Sequence, residues 1–271
     1  MRWTGPLPLL ADAVVWQRAG DGLEWGELHL SGSGEAWRLG TILVRVDPRH
    51  FDFRLAANVR ENRTAGPWSV ELAPAGAALA LNAGQFTDDG PWGWVVHNGR
   101  EMRPPGMGPL SMALLVAPGG GIRWVTGDRM AEARERGELA GVVEALQSYP
   151  TLLSGDGDVP APLLAAGRGV DLEHRDGRLA IGELRDGRIL IALTRFEGLG
   201  GALSVLPFGP TVPEMSALMG ALGCHTAMML DGGLSAQLLL RTDSGEEHRW
   251  SGLRQVPLGL VAVRKKEADR P

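Results

Sequence analysis

The chain has 271 residues, 44% of them hydrophobic, and a formal net charge of −5 at pH 7. It is apolar enough to bury a core, so general disorder is excluded, and it lacks the basic surplus of a nucleic-acid-binding protein. Its single cysteine excludes an intrachain disulfide, and it has no apolar run long enough to predict a membrane span. The start of the chain makes a poor signal peptide because prolines and an aspartate interrupt it, so the compartment stays open.

In chain order, the first predicted elements are strands over residues 42–46, 78–81, 94–97 and 111–116. Residues 128–146 then predict a helix that is polar at first and apolar afterwards, and that Gly137 and Gly141 weaken. The 39 glycines and 18 prolines indicate many turns, and some glycines could bring bare backbone close to a ligand.

The second half contains the clearest elements. Asp186-Gly187 between two apolar runs predicts a hairpin with strands at 179–184 and 189–194. A capping box of Thr211 and Glu214 begins a helix that ends near Gly223. Further strands are predicted at 227–230, 237–241 and 258–263. With no long linker, the pattern predicts a single α+β domain: a mixed or antiparallel β-sheet core with a few flanking helices.

The most informative motif follows the apolar strand that ends at Leu230. Asp231 comes directly after it, and Gly232 and Gly233 follow. A carboxylate at the end of a core strand is costly unless it is hydrogen-bonded or functional, and paired glycines can form a backbone nest for an anion. A plain Asp-Gly hairpin turn is the alternative interpretation.

Three other stretches place polar residues beside strands. Asn82 ends a buried strand before Ala83 and Gly84, where it could simply cap its own turn. Arg178 enters a hairpin strand, either as a solvated edge charge or as a phosphate clamp. Gln147 and Ser148 precede a short strand.

Together and in this order, these stretches resemble the phosphodiester glycosidase family, which has bacterial members. The resemblance runs from about residue 78 to 263, and its motifs are residues 82–86 (NAGQF), 147–152 (QSYPTL), 178–182 (RLAIG), the helix from 211, and 230–235 (LDGGLS). It divides the chain into an N-terminal β-rich segment that packs on the core (1–77), the family domain (78–263) and a frayed tail (264–271). The departures from the family pattern are Ala83, Gln85, Tyr149, Leu179, Leu234 and the stretch Thr194-Arg195-Phe196.

The resemblance implies hydrolysis of a sugar joined through its anomeric oxygen to a phosphodiester, which releases the sugar and leaves a phosphomonoester. It implies catalytic roles for Asp231, Arg178 and Asn82. The substrate-binding residues that it implies are Gly84, Gln147, Ser148, Gly182, Gly232, Gly233 and Ser235. Arg178 and the amides of the paired glycines suit the anion, and Asp231 suits the sugar centre.

Asp231 is predicted to be ionised rather than to donate a proton. As an acid at neutral pH it would need its pKa raised from about 3.9 by roughly 3 units, whereas a nearby arginine and backbone donors lower it. A second carboxylate is not identified by the sequence, and the candidates are Asp88, Asp156 and Glu183.

No metal or cofactor is expected, because the paired loop acids do not fit calcium-loop spacing and the histidines form no zinc-type pair. The expected partner is a small molecule or glycan that bears a phosphodiester, and the oligomeric state is open. Two rival functions remain. One is an inactive module that binds anionic glycans, with Trp92 and Trp94 as sugar platforms, and the other is a phosphodiesterase acting on a non-sugar substrate.

Overall fold

A computed structural model describes residues 1–31, 38–57, 59–60, 63–64, 67–108, 110–164, 172–196 and 208–266. In chain order the strands are β1 (Gln17–Gly20), β2 (Leu23–Ser31), β3 (Arg38–Val46), β4 (Phe51–Ala57), β5 (Val59–Arg60), β6 (Arg63–Thr64), β7 (Ala77–Asn82), β8 (Phe86–Thr87), β9 (Gly90–Pro91), β10 (Val95–His97), β11 (Arg100–Arg103), β12 (Met112–Val116), β13 (Ile122–Thr126), β14 (Glu144–Ser148), β15 (Thr151–Leu153), β16 (Leu179–Leu184), β17 (Ile189–Phe196), β18 (Cys224–Met229), β19 (Leu238–Arg241), β20 (Glu247–Trp250) and β21 (Leu258–Arg264). The helices are α1 (Pro8–Ala11), α2 (Met130–Glu135) and α3 (Val212–Ala221), and short 3-10 turns lie at Val70–Leu72, Ala161–Leu164 and Gly233–Ser235.

The chain folds into two compact units that alternate along the sequence. Unit 1 combines Met1–Val46 with Thr151–Ala236, and unit 2 combines Asp47–Pro150 with Gln237–Pro271. The division into residues 1–77 and 78–263 stays a prediction, and most of the predicted tail, residues 267–271, lies outside the described residues.

Unit 1 is built on a sheet of seven antiparallel strands in the order β1-β2-β3-β17-β16-β18-β15. The predicted hairpin is confirmed: β16 pairs with β17, and Gly187 at its turn has φ +84°. Ile181, Leu193 and Met228 are fully buried on the adjacent strands β16, β17 and β18, so this part of the sheet is the core of the unit.

The predicted helix after Thr211 is also confirmed. The hydroxyl of Thr211 accepts from the amide of Glu214 at 3.3 Å, and Oε2 of Glu214 accepts from the amide of Thr211 at 2.8 Å. This reciprocal pair satisfies two of the amides that every helix start leaves without an intrahelical partner. The helix α3 packs against β15 and β18 and ends before Gly223, whose φ is +98°.

Unit 2 contains two larger antiparallel sheets, in the orders β11-β10-β14-β12-β13 and β20-β19-β7-β21-β4. Within the second sheet, β7 lies between β19 and β21, so every residue of β7 is buried. Antiparallel sheets with few helices confirm the predicted α+β class. No helix among the described residues is long and apolar enough to cross a bilayer.

The helix predicted over residues 128–146 is wrong in its extent. Only α2, Met130–Glu135, is helical, and Gly137 and Gly141 both have φ +72°. A residue at positive φ cannot continue a right-handed helix, so the chain turns there. The residues from Glu144 to Ser148 form β14, a strand buried along its whole length between β10 and β12.

Candidate active site

Three strand ends of unit 1 meet at the Asp231 motif. The amide of Leu230 donates to the carbonyl of Leu179 at 2.8 Å, and the amide of Gly233 donates to the carbonyl of Gly177 at 2.7 Å. These two bonds lie on either side of Asp231 in one segment and of Arg178 in the other. The sheet therefore brings together the aspartate and the arginine that the sequence predicted, at the end of β18 and the start of β16.

The third strand end is that of β17. The hydroxyl of Thr194 accepts from the amide of Arg178 at 2.7 Å, and the amide of Thr194 donates to the carbonyl of Arg178 at 2.8 Å. Thr194 begins the stretch that departs from the family pattern. Its buried hydroxyl fixes the backbone of the arginine, so here the departure supplies a positioning contact.

The guanidinium of Arg178 is oriented by backbone carbonyls. Its Nε donates to the carbonyl of Pro210 at 3.1 Å, and a terminal nitrogen donates to the carbonyl of His174. Two bonds from one planar group fix its orientation, which a lysine cannot reproduce. The arginine thus ties the loop before β16 to the loop before α3.

Bare backbone is required at both glycines of the motif. A methyl group on Gly232 would lie 2.5 Å from the carbonyl oxygen of Gly177. Gly233 has φ +56°, and a methyl group on it would lie 2.8 Å from Oδ2 of Asp176. The sequence predicted an anion nest built from the amides of both glycines. In the structure the Gly233 amide already donates to the carbonyl of Gly177, so that amide is engaged within the protein. The contribution of Gly233 to the site is its open α-carbon.

Asp176 is a carboxyl group of this site that the sequence reasoning missed. Its Oδ1 is buried and has no hydrogen-bond partner among the described residues. Burial raises the pKa of Asp176, while the charge of Arg178, the amide of Gly177 and the charge of His174 act in the opposite direction. The available signal was its spacing, since residues two apart on an extended segment share a face and Asp176 precedes Arg178 by two.

Two of the three acids named as second-carboxylate candidates lie away from Asp231 within unit 1. Glu183 and Asp156 belong to the other end of β18: His225 at its start lies 3.9 Å from the Glu183 carboxylate, and its carbonyl accepts from Gly157, next to Asp156. Asp231 is six residues along the chain from His225, or roughly 20 Å at about 3.3 Å per residue. Asp88 is an exposed turn residue of unit 2.

Two other residues predicted to bind substrate in unit 1 are buried. Gly182 lies inside β16, where a methyl group would approach the carbonyl oxygen of Thr226 to 2.6 Å and the sulfur of Cys224 to 3.0 Å. Its position, four residues or roughly 13 Å along the strand from Arg178, indicates a packing role. Ser235 is buried in the short turn that follows Gly233, and Leu234 beside it is exposed.

The remaining predicted residues belong to unit 2. Asn82 is fully buried at the end of β7, and its Oδ1 accepts from the backbone amide of Gln237 at 2.9 Å. The Asn82 side chain thereby fixes the start of β19. A methyl group on Gly84 would lie 2.8 Å from the carbonyl oxygen of Gln147, so glycine is needed where these two segments touch.

Gln147 is the centre of a buried hydrogen-bond network. Its Oε1 accepts from the amides of Trp94 at 2.8 Å and Gly106 at 2.7 Å, and its Nε2 donates to the Gly106 carbonyl at 3.1 Å and the Ser111 hydroxyl at 3.0 Å. Two acceptor and two donor positions are all that a primary amide offers. Gln147 therefore shapes unit 2 from within. Ser148 beside it is fully buried.

The tryptophans near Asn82 differ in exposure. Trp94 is buried in a core cluster, and its Nε1 donates to Oε2 of Glu101 at 2.8 Å, so Trp94 is a core residue. Trp92 is partly exposed and packs edge-on against Tyr149, with 4.5 Å between ring centroids. Of these two tryptophans, Trp92 is the one that, with Tyr149, presents an aromatic surface of the kind that sugars stack on.

No group of three or more histidine, cysteine, aspartate or glutamate side chains that could hold a metal ion occurs in the part of the chain that the structure describes. The single cysteine, Cys224, is buried, and burial raises the pKa of its thiol. A buried thiol with a raised pKa is unsuited to act as a nucleophile.

Comparisons with known proteins show the fold and the family of the chain. No curated protein matches the chain. A hypothetical protein from Synechocystis has a similar fold, with a TM-score of 0.65 and 15% identity over 93% of this chain. The chain spans 64% of the length of that protein. The catalytic domain of zebrafish N-acetylglucosamine-1-phosphodiester alpha-N-acetylglucosaminidase, auto-inhibited by its pro-peptide, also gives a TM-score of 0.65, with 14% identity over 97% of this chain and 95% of that domain. The sequence profile of phosphodiester glycosidases matches residues 75–263, more than half of the chain, and the protein therefore belongs to the phosphodiester glycosidase family.

Proposed function

We propose that this protein hydrolyses a glycosyl phosphodiester at the bond between the anomeric carbon and the phosphate oxygen, releasing the sugar and leaving a phosphomonoester. The family is one of hydrolases, which supports the reaction type. The observation that carries the proposal is the meeting of Asp231 and Arg178 at the end of the unit 1 sheet, with Gly232 and Gly233 providing open backbone beside them.

The two charged groups have complementary tasks in this reaction. The phosphodiester carries a negative charge that grows on the leaving oxygen as the bond breaks, and the oriented guanidinium of Arg178 stabilises that charge. Positive charge develops at the anomeric carbon, and the carboxylate of Asp231 stabilises it, as nucleophile or as base for water. Since the sheet holds the backbone of both residues and two carbonyls orient the guanidinium, little reorganisation is needed when charge develops.

The residues of unit 2 act through positioning in this proposal. Asn82 holds the backbone at Gln237, where β19 begins, and the saturated amide of Gln147 holds the segments that contain Trp94 and Gly106. Their variants are expected to lose activity together with stability. Substitution of Asp231 or Arg178 is instead expected to reduce the rate more than the stability.

N-acetylglucosamine is the first sugar to test, because the zebrafish relative of similar fold acts on an N-acetylglucosamine 1-phosphodiester. The screen uses methyl phosphodiesters of N-acetylglucosamine, glucose, galactose and mannose, linked through the anomeric oxygen. Released reducing sugar and methyl phosphate are both measured. Wild type is compared with Asp231→Ala and Asp231→Asn, and Asp12→Asn is the control because it removes an exposed carboxylate from the same unit.

We expect at least one diester to be hydrolysed by wild type and by Asp12→Asn, with a loss of at least about 10²-fold in kcat for both Asp231 variants. Binding of a diester without turnover would favour the rival glycan-binding module. Hydrolysis of bis(4-nitrophenyl) phosphate, with every sugar diester left intact, would favour a phosphodiesterase for a non-sugar substrate.

A further inference from the structure

The carboxyl group of Asp176 faces the same glycine pair that follows Asp231. Its Oδ2 would lie 2.8 Å, and its Oδ1 3.1 Å, from a methyl group placed on Gly233. Because glycine carries no such group, the carboxyl reaches the open backbone directly. Gly233 in turn is bonded to the carbonyl of Gly177 at 2.7 Å, so the contact is fixed by the sheet.

The segment around Asp176 is held on both sides. Arg175 forms a bidentate ion pair with Glu214 in the first turn of α3, with both N–O distances at 2.8 Å. Arg178 bonds back to the carbonyl of His174 and across to that of Pro210. A carboxyl placed between two anchored arginines moves little, as a group that transfers protons requires.

The surroundings favour the protonated form of this acid. Burial raises the pKa of Asp176, against the opposing charges of Arg178 and His174 and the Gly177 amide. Asp231 lies at the same end of the sheet, opposite Arg178 in the backbone bonding of the two segments. The geometry thus places two carboxyl groups in different environments at one site, a pattern typical of an acid and a base with separate roles.

We propose that Asp176 is the proton donor of the reaction, an inference that rests on the proposed glycosyl phosphodiester hydrolysis. As the bond between the anomeric carbon and the phosphate oxygen breaks, its electron pair passes to that oxygen, which takes the proton of Asp176. Water forms the new bond to the anomeric carbon and loses a proton to Asp231. Asp176 then regains a proton from solvent and Asp231 releases one, so charge and protons balance.

This assignment suits the leaving group. A phosphomonoester has a second pKa of about 6, so the oxygen being expelled is only weakly basic. Proton transfer is most effective when the pKa of the donor is close to the working pH and to that of the acceptor. A carboxyl of ordinary pKa, about 3.9, is almost fully ionised at neutral pH. A carboxyl whose pKa is raised by burial retains its proton to a higher pH.

The test compares Asp176→Asn, which keeps the shape of the side chain, with wild type and with the control Asp12→Asn. kcat/KM is measured from pH 4.5 to 9 on the best diester of the screen, as its methyl and its 4-nitrophenyl phosphodiester. We expect wild-type activity to fall as pH rises through the raised pKa. Asp176→Asn should lose about 10²-fold at pH 6 and lack that fall. The loss should be smaller for the nitrophenyl compound, whose leaving phosphate is less basic.

A readout that needs no substrate separates this inference from the proposed function. The carboxyl carbons of aspartate are labelled with ¹³C and titrated by NMR, with the Asp176 signal identified by its absence in Asp176→Asn. An ordinary pKa, or a variant with an unchanged pH profile and equal losses on both leaving groups, would overturn the role of Asp176 in an active enzyme. If wild type cleaves no sugar diester, the proposed function fails and this inference fails with it. Circular dichroism and thermal unfolding confirm that the variant is folded.

Discussion

Gly233→Ala tests whether the open backbone beside Asp176 matters to the site. Gly233 has φ +56°, and alanine in the left-handed region costs roughly 1–2 kcal/mol. The new methyl group would also lie 2.8 Å from Oδ2 of Asp176, closer than carbon and oxygen approach without displacement. Forced repacking of this kind adds about 1–3 kcal/mol, or moves the carboxyl away from its position.

Gly187→Ala is the matched control, because Gly187 has φ +84° at the tip of the β16–β17 hairpin and a methyl group there meets nothing within 4 Å. Both variants carry the conformational cost, but only Gly233→Ala collides with a carboxyl. Urea unfolding should show about 1–2 kcal/mol lost for the control and more for Gly233→Ala. On the best sugar diester, kcat/KM should be unchanged in the control and at least tenfold lower in Gly233→Ala.

A double-mutant cycle locates the effect. If the methyl group acts by displacing Asp176, then Gly233→Ala should cost little further activity in an Asp176→Ala background, since the smaller side chain leaves room. Equal fold losses in both backgrounds would show that the two residues act independently. A Gly233→Ala protein as active as Gly187→Ala would refute the argument that this glycine shapes the site.

Two further outcomes are expected. Arg178→Lys keeps a charge but cannot bond both the Pro210 and His174 carbonyls, so kcat/KM should fall at least tenfold, about 1.4 kcal/mol. Unchanged kinetics would show that Arg178 has no role in the reaction. In unit 2, the hydrogen bond that His97 donates to the Glu144 carboxylate raises the pKa of His97. This pair therefore stabilises the fold fully below the ordinary histidine pKa of about 6.5, and less as pH rises through the raised value. The stability advantage of wild type over Glu144→Gln should therefore be larger at pH 6 than at pH 9, and an advantage independent of pH would contradict the linkage.

Local signals in the sequence predicted those elements whose boundaries are set by local chemistry. The capping box at Thr211 and the turn at Asp186-Gly187 each determine backbone geometry within a few residues, and both are present in the structure. The segment after residue 128 shows the limit. A fully buried strand such as β14 has no alternation of polar and apolar residues, so periodicity cannot distinguish it from a buried helix.

The candidate site shows the same division between local and non-local information. Asp231 was recognisable because an acid at the end of an apolar strand is unusual wherever the strand lies. The network of Gln147 could not be foreseen, because its partners at Trp94, Gly106 and Ser111 come from separate parts of the chain. The alternation of the two units along the sequence is non-local in the same way, since each unit is completed by a segment that begins only after a whole segment of the other unit.

Two Asp-Gly pairs in unit 1 show that the same dipeptide can serve two purposes. At Asp186-Gly187 the glycine supplies positive φ to a hairpin tip, and open space surrounds it. At Asp231-Gly232 the same dipeptide sits against the Gly177 carbonyl, where a methyl group would come within 2.5 Å, and here glycine is required by what surrounds it. The two cases differ in the backbone conformation of the glycine, since Gly232 has φ −106°, and in its neighbours, which at Gly232 come from the segment before β16. A motif of this kind becomes evidence for a site only when an independent group, here the half-buried carboxyl of Asp176 beside Gly233, is found facing it.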